Sequence, residues 1–407
     1  MAFADTPASS EAPNFPYANW MNLAPHNPKT KLKDFCLPGT HDSATATLQK
    51  VWTDERDEDW RMIFPQIGSE LPAAAAKRLW QALHGCARAT RCDIKTQLLM
   101  GVRAFDFRVW PEKVETFREH AFDLMVFQPT MFTTRFGGEF YSVHRFLGEK
   151  YSTIVGQLRD FLESYKGEVV YARFRFLDEK RLIRDAGEIN RFFSWLVEEK
   201  QLRKYCIKRS EGNPFQASYE TLVDGYDHSR LVIHFYDEPW RHADVSKCPG
   251  RDLFFTNGEI GLHGDTVGNG ETVDTMVAKQ KEYLKYAKDN KLLFGLWFVS
   301  CPPSAKFTKE GTKAFEGQPF DDEVLRTWAR PFNEKLHFIL QDQFYGEPAS
   351  AIFVDWIEDT QLVLWAINRS VYRPSAAEVA KHYRELEHRE KRESARRRNR
   401  PRSVRPS

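Results

Sequence analysis

The chain has 407 residues, 42% hydrophobic and 14% aromatic, which is ample for a sizeable core and excludes wholesale disorder. Fifty-nine basic against fifty-seven acidic side chains give +2, a balance that argues against a dedicated nucleic-acid binder. No stretch approaches the roughly 20 apolar residues of a membrane-spanning helix, the N-terminus shows no secretory signal pattern, and six cysteines without C-x-x-C spacing indicate neither a disulfide scaffold nor a zinc ribbon.

Residues 1–30, rich in Pro, Ala, Ser and Asn, read as an irregular arm. Strand-length apolar runs follow at Lys33–Leu37, Val102–Val109, Tyr141–Phe146, Val169–Phe176, Arg230–Tyr236, Leu292–Ser300 and Ala351–Trp356. Several are apolar on both faces, as parallel strands covered by helices are. Helical spacing appears between them. Tyr151–Tyr165 lines up Ile154, Leu158, Phe161 and Leu162, and Val273–Lys288 and Glu323–Gln341 are similar.

Strand then helix, repeated, predicts an α/β barrel or a doubly wound sheet over residues 31–372. The first strand leads into Leu37-Pro-Gly-Thr-His-Asp-Ser43, which fits no nucleotide-binding fingerprint and favours a TIM-type (β/α) barrel. Two long insertions interrupt the rhythm, at about 50–90, with a helix over Leu71–Ala89, and at 111–139. Residues 373–407 read as a charged helix running into a disordered basic tail.

Catalytic groups of a parallel barrel sit at the C-terminal ends of its strands. There the chain places His41 and Asp42, then Asp106 and Arg108 (on one face, because strand side chains alternate), His144, Arg173 and Arg175, and Asp355. Two histidines supply a general base and a general acid near neutral pH. An arginine neutralises a phosphate with a two-pronged grip. Carboxylates behind them fix tautomer and orientation. This inventory suits phosphodiester cleavage by an internal hydroxyl, with Arg108 in the central position where a metal-dependent enzyme would gather oxygen ligands.

These residues carry a resemblance. Leu37-Pro-Gly-Thr-His-Asp-Ser43, with Ile94-Lys-Thr-Gln-Leu98 leading into Gly101-Val-Arg-Ala-Phe-Asp-Phe-Arg108, resembles the bacterial-type phosphatidylinositol-specific phospholipase C family, the X-domain phosphodiesterase barrel. His144, its following helix and Gly167-Glu168, and then Ile352-Phe-Val-Asp355, are similar to later family segments in the same order. The resemblance implies His41 as base towards the inositol 2-hydroxyl, Asp355 as its hydrogen-bond partner, Arg108 on the phosphate and His144 as acid to the diacylglycerol oxygen. It implies that Asp42 and Asp106 orient Arg108 and His144, and that Arg175 and Asp265 contact substrate. The implied products are an inositol cyclic phosphate and diacylglycerol, with no metal and no cofactor.

His144 lies 36 residues beyond Arg108 and is followed by Arg145 where the family commonly has glycine, so His120 is the rival acid. The helix and Glu168 that follow His144 favour it. Alternatives are a phosphodiesterase acting on another phospholipid or diester, and a catalytically silent lipid- or partner-binding module. The expected partner is an anionic phospholipid met at a membrane periphery by a monomer, with no nucleic acid. The expected location is the cytoplasm or membrane surface, with secretion left open. Arg389–Ser407 holds nine Lys/Arg and two acids, a net of +7, which leaves the preceding 388 residues at −5.

Overall fold

The computed structural model describes residues 17–23, 27–48, 73–110, 140–144, 146–176, 191–196, 202–225, 227–236, 250–264, 272–299, 302 and 304–371, and separate positions between 377 and 392. Its strands are β1 (Leu37–Thr40), β2 (Ala104–Trp110), β3 (Tyr141–His144), β4 (Phe146–Lys150), β5 (Val169–Phe176), β6 (Arg230–Phe235), β7 (Phe255–Thr256), β8 (Leu262–His263), β9 (Leu293–Phe298) and β10 (Ala351–Val354). Its longer helices are α1 (Ala73–Ala87), α2 (Ile94–Leu99), α3 (Tyr151–Ser164), α4 (Val273–Asp289), α5 (Ser304–Phe315), α6 (Val324–Gln343) and α7 (Leu362–Val371).

Neighbouring strands pair in parallel along the path β7-β6-β5-β2-β1-β10-β9-β8, a half-barrel with helices around it. The two faces of this sheet divide by alternation. Outward positions such as Phe105, Phe107, Val170, Phe174, Ile233, Leu296 and Ile352 pack with Ile154, Leu158 and Phe161 of α3 in one core. Inward positions such as Leu37, Ala104, Tyr171, Val232, Trp297, Ala351 and Phe353 form a second. The inner core is apolar towards the start of the strands and gives way to His41, Asp106, Arg173, His234 and Asp355, all buried, at their far ends.

Two strand expectations shift. The first strand is not Lys33–Leu37 but Leu37–Thr40, because residues 32–34 form a 3-10 turn that drops the chain into the sheet through Pro38-Gly39. Tyr141–Phe146 is not one strand of the barrel wall. β3 runs antiparallel to β2, with Val109 opposite Ser142, and β3 turns back into β4 with His144 paired to Phe146. The helix expected at Leu71–Ala89 is α1, slightly shorter. Residues 1–16, the insertion at 111–139 with His120, Asp265 and the basic tail beyond 392 lie outside the described residues. Among the described residues, no helix is long and apolar enough to cross a membrane.

Candidate active site

The loop after β1 presents the first two groups. His41 is seated by its backbone N–H, which donates to Val354 O of β10 at 3.0 Å. Asp42 then takes a left-handed backbone, φ 43°, tolerated by Asp better than by most residues. This re-aims its carboxylate across the barrel mouth. Ser43 locks the turn: its N–H donates to Asp106 O at 3.0 Å, and its Oγ accepts from Asp106 N at 2.9 Å. Buried Gln97 of α2 donates to Ser43 O at 2.8 Å and accepts from Thr40 Oγ1 at 2.8 Å. The Ile94–Leu98 segment is therefore a brace for the His41 loop.

His41 Nδ1 donates to Asp355 Oδ1 at 2.9 Å, which puts the lone pair on Nε2. That Nε2 accepts from Arg108 Nη2 at 3.0 Å. Asp42 is the hub: its Oδ1 is ion-paired to Arg108 Nε, and its Oδ2 lies 3.2 Å from His144 Nε2 and 3.4 Å from His41 Nε2. The two imidazole rings stand 6.4 Å apart, edge to face, and His41 also meets the Trp297 ring at 6.0 Å. On its far side, His144 Nδ1 donates to the carbonyl of Ala87 at 2.6 Å.

Electrostatics sort these groups. Burial opposes charge on His41, but Asp42 and Asp355 outweigh it and push its pKa above the usual histidine value. Burial also works against an ionised Asp42, yet Arg108, His144, His41 and Arg175 hold its carboxyl below the usual range. Burial raises Asp355, with His41 pulling the other way. The site thus contains one firmly ionised carboxylate in contact with Arg108 and both histidines.

Asp355, Arg108, His41, Asp42 and His144 come together at one point. Asp106 is at the same mouth, but its carboxylate faces Arg173 Nε at 3.6 Å rather than the ion pairs of Arg108 and His144. The register explains this, since Asp106 lies directly opposite Arg173 in the β2–β5 ladder and Arg108 opposite Arg175. Arg173 is buried, its guanidinium 3.8 Å from the Tyr236 ring and 4.6 Å from Trp297. Arg175 is half-buried, 5.4 Å from Tyr236.

Tyr171 OH donates to His234 Nδ1 at 2.5 Å, and His234 Nε2 meets Asn257 Oδ1 at 2.7 Å. Burial, then Arg173, pushes His234 down to about 3, so it is a neutral strut beneath the site. Reading strand ends alone misses the aromatic clamp on Arg173; its signal is the inward parity of Tyr236 and Trp297.

Among the described residues, one group could hold a cation: His41, Asp42 and Asp106 offer ligand atoms all within 4.8 Å of one another. The guanidinium of Arg108 is paired to Asp42 and that of Arg173 lies beside Asp106. Fixed cations therefore already face both carboxylates.

Set beside solved structures, the chain is similar to a phosphatidylinositol-specific phospholipase C of Staphylococcus aureus at 13% identity. The match covers 87% of this chain and 97% of that one, with a TM-score of 0.50. The fold is shared. A phosphatidylinositol-specific phospholipase C from Listeria monocytogenes matches at 13% identity over 87% of this chain and 98% of that one, with a TM-score of 0.49. No family model matches the chain, and no curated protein matches it. The resemblance read from the sequence therefore holds at the level of fold, a TIM-type barrel.

Proposed function

We propose that the protein cleaves the phosphodiester of a phosphatidylinositol-type lipid without a metal, giving an inositol cyclic phosphate and diacylglycerol. The observation that carries this reading is the placement of two histidine Nε2 atoms around the Asp42 carboxylate that also holds Arg108, each histidine anchored through its Nδ1. His41 Nε2 takes the proton of the inositol 2-hydroxyl as that oxygen attacks phosphorus. Its Nδ1–H stays with Asp355, which stabilises the imidazolium formed. Arg108 leaves Nε2 for the more strongly charged phosphate and grips its non-bridging oxygens, as preorganised cations do where negative charge builds. His144 delivers the Nε2 proton to the departing diacylglycerol oxygen. Asp42 keeps Arg108 and His144 in register throughout. Asp106, Arg173 and Arg175 line the substrate side.

The test is incubation with phosphatidylinositol vesicles in the presence of a chelator, read by phosphorus NMR. A cyclic phosphate is expected, with turnover lost in His41→Gln by about 10²–10⁴-fold, the usual contribution of a general base. A linear phosphate product, or no release from a folded protein, overturns the reading.

A further inference from the structure

Both histidines at the barrel mouth are held through Nδ1, but by different acceptors. His41 is backed by a carboxylate, Asp355. His144 is backed by a backbone carbonyl, Ala87 O, at 2.6 Å. Ala87 is the last residue of α1, so its carbonyl is one of the four that a helix leaves without an intrahelical partner. A carbonyl only accepts, so Nδ1 of His144 must carry a proton in both its neutral and its charged form. The proton His144 can give up is thereby confined to Nε2, the nitrogen that faces Asp42.

The chain just beyond that carbonyl is tied down. Ala89 N donates to Thr45 Oγ1 at 2.9 Å, and Trp356 N donates to Ala89 O at 2.6 Å. Arg91 N and Thr90 Oγ1 donate to the Glu358 carboxylate at 2.8 and 3.1 Å. These partners lie on the loops that follow β1 and β10, the loops that carry His41, Asp42 and Asp355. Gly85 lets α1 seat against the start of α6, since a Cβ there would fall 2.0 Å from Asp322 O.

We propose that α1 is a positioning element for His144: the Ala87 carbonyl at its C-terminal end, where Thr45 and the residue-356 backbone anchor Ala89 two residues on, fixes which nitrogen of the acid donates. The inference rests on the reading of His144 as the acid. A carboxylate behind one imidazole and a neutral carbonyl behind the other also divides the labour, since the carboxylate-backed ring is the stronger base.

Two substrates separate the acid's contribution from everything else. Phosphatidylinositol loses a poor alkoxide leaving group, whereas inositol nitrophenyl phosphate loses one that departs without help. Thr45→Val removes the acceptor of Ala89 N, Thr45→Ser keeps it, and Gly85→Ala displaces the helix. We expect Thr45→Val and Gly85→Ala to lower kcat on phosphatidylinositol by about 10- to 100-fold, part of what a general acid supplies. KM and nitrophenyl turnover should change by less than about twofold (a factor of ten is 1.4 kcal/mol), and Thr45→Ser should retain activity. Equal losses on both substrates, or no loss in variants that melt like wild type, overturn the proposal. Nitrogen-15 NMR of the His144 ring gives a readout independent of turnover. Neutral His144 should carry its proton on Nδ1, and finding it on Nε2 overturns the proposal even if the enzyme reading stands. A wild-type protein inactive on both substrates overturns the enzyme reading instead.

Discussion

The role proposed for His41 as a base requires a neutral ring, yet His41 sits between two carboxylates that favour its charge. Asp42 is committed to Arg108 and His144 as well, so Asp355 is the partner whose charge can be removed most cleanly. In Asp355→Asn the hydrogen bond to Nδ1 can persist while the Coulombic support disappears. Burial then dominates, and the pKa of His41 falls. Because the proposed reaction requires neutral His41, turnover in wild type should rise with pH through a value above the ordinary histidine pKa of about 6.5. In Asp355→Asn that rise should move to lower pH, with a reduced plateau because the imidazolium formed in the reaction is less stabilised. The measurement is kcat/KM against pH for both proteins. An unmoved acid limb would show that another group sets it.

At the scale of elements, the site depends on β1 reaching the barrel interior at all, and Gly39 is what permits it. A Cβ at that position would stand 2.9 Å from the Phe353 ring, 3.0 Å from Ala104 Cβ and 3.0 Å from Ile352 O. Overpacking of this kind costs about 1–3 kcal/mol. Gly39→Ala should lower the denaturant midpoint accordingly, with an unchanged slope, and lower kcat as well, since His41 is the next inward-facing position. A stable variant with full activity would mean that β1 can shift freely. Pro38-Gly39 is also why this strand is hard to read from sequence, since both residues signal a turn. The long apolar strands were legible because alternation leaves a periodic trace, and that trace also predicts that Asp106 and Arg108 share a face. It cannot say which arginine Asp106 meets, because that depends on the β2–β5 register. A backbone carbonyl such as Ala87 O leaves no sequence signal at all. Nor does composition reveal that Tyr141–His144 and Phe146–Lys150 pair antiparallel, since an antiparallel and a parallel strand bury similar residues.

Across the whole molecule, buried charge occurs at both ends of the barrel, but with opposite character. At the start of the strands, Arg103 and Glu168 are fully buried, with Arg103 Nε donating to Glu168 Oε2 at 2.7 Å and Nη2 to Ala18 O at 2.7 Å. Burial pushes Glu168 up to about 7 against the pull of Arg103. This pair ties residues 17–23 beneath the barrel, at the end away from His41 and Arg108, so it is a fastening rather than part of the candidate site. The basic segment from Arg389 onward stands apart in composition, +7 against −5 for the rest. A barrel with that negative balance would be repelled by an anionic leaflet, although its proposed substrate resides there. Each Lys or Arg near such a surface contributes about 1 kcal/mol, an effect that salt screens. Truncation after His388 should therefore weaken binding to vesicles containing anionic lipid by at least about tenfold, a loss of about 1.4 kcal/mol. Binding to zwitterionic vesicles should change little, and high salt should erase the difference. Turnover of the soluble nitrophenyl substrate should be retained, because that reaction needs only the mouth of the barrel. Co-sedimentation with both vesicle types at two salt concentrations decides the matter: if the truncated protein partitions like the full chain, the basic segment has no part in bringing the protein to an anionic membrane.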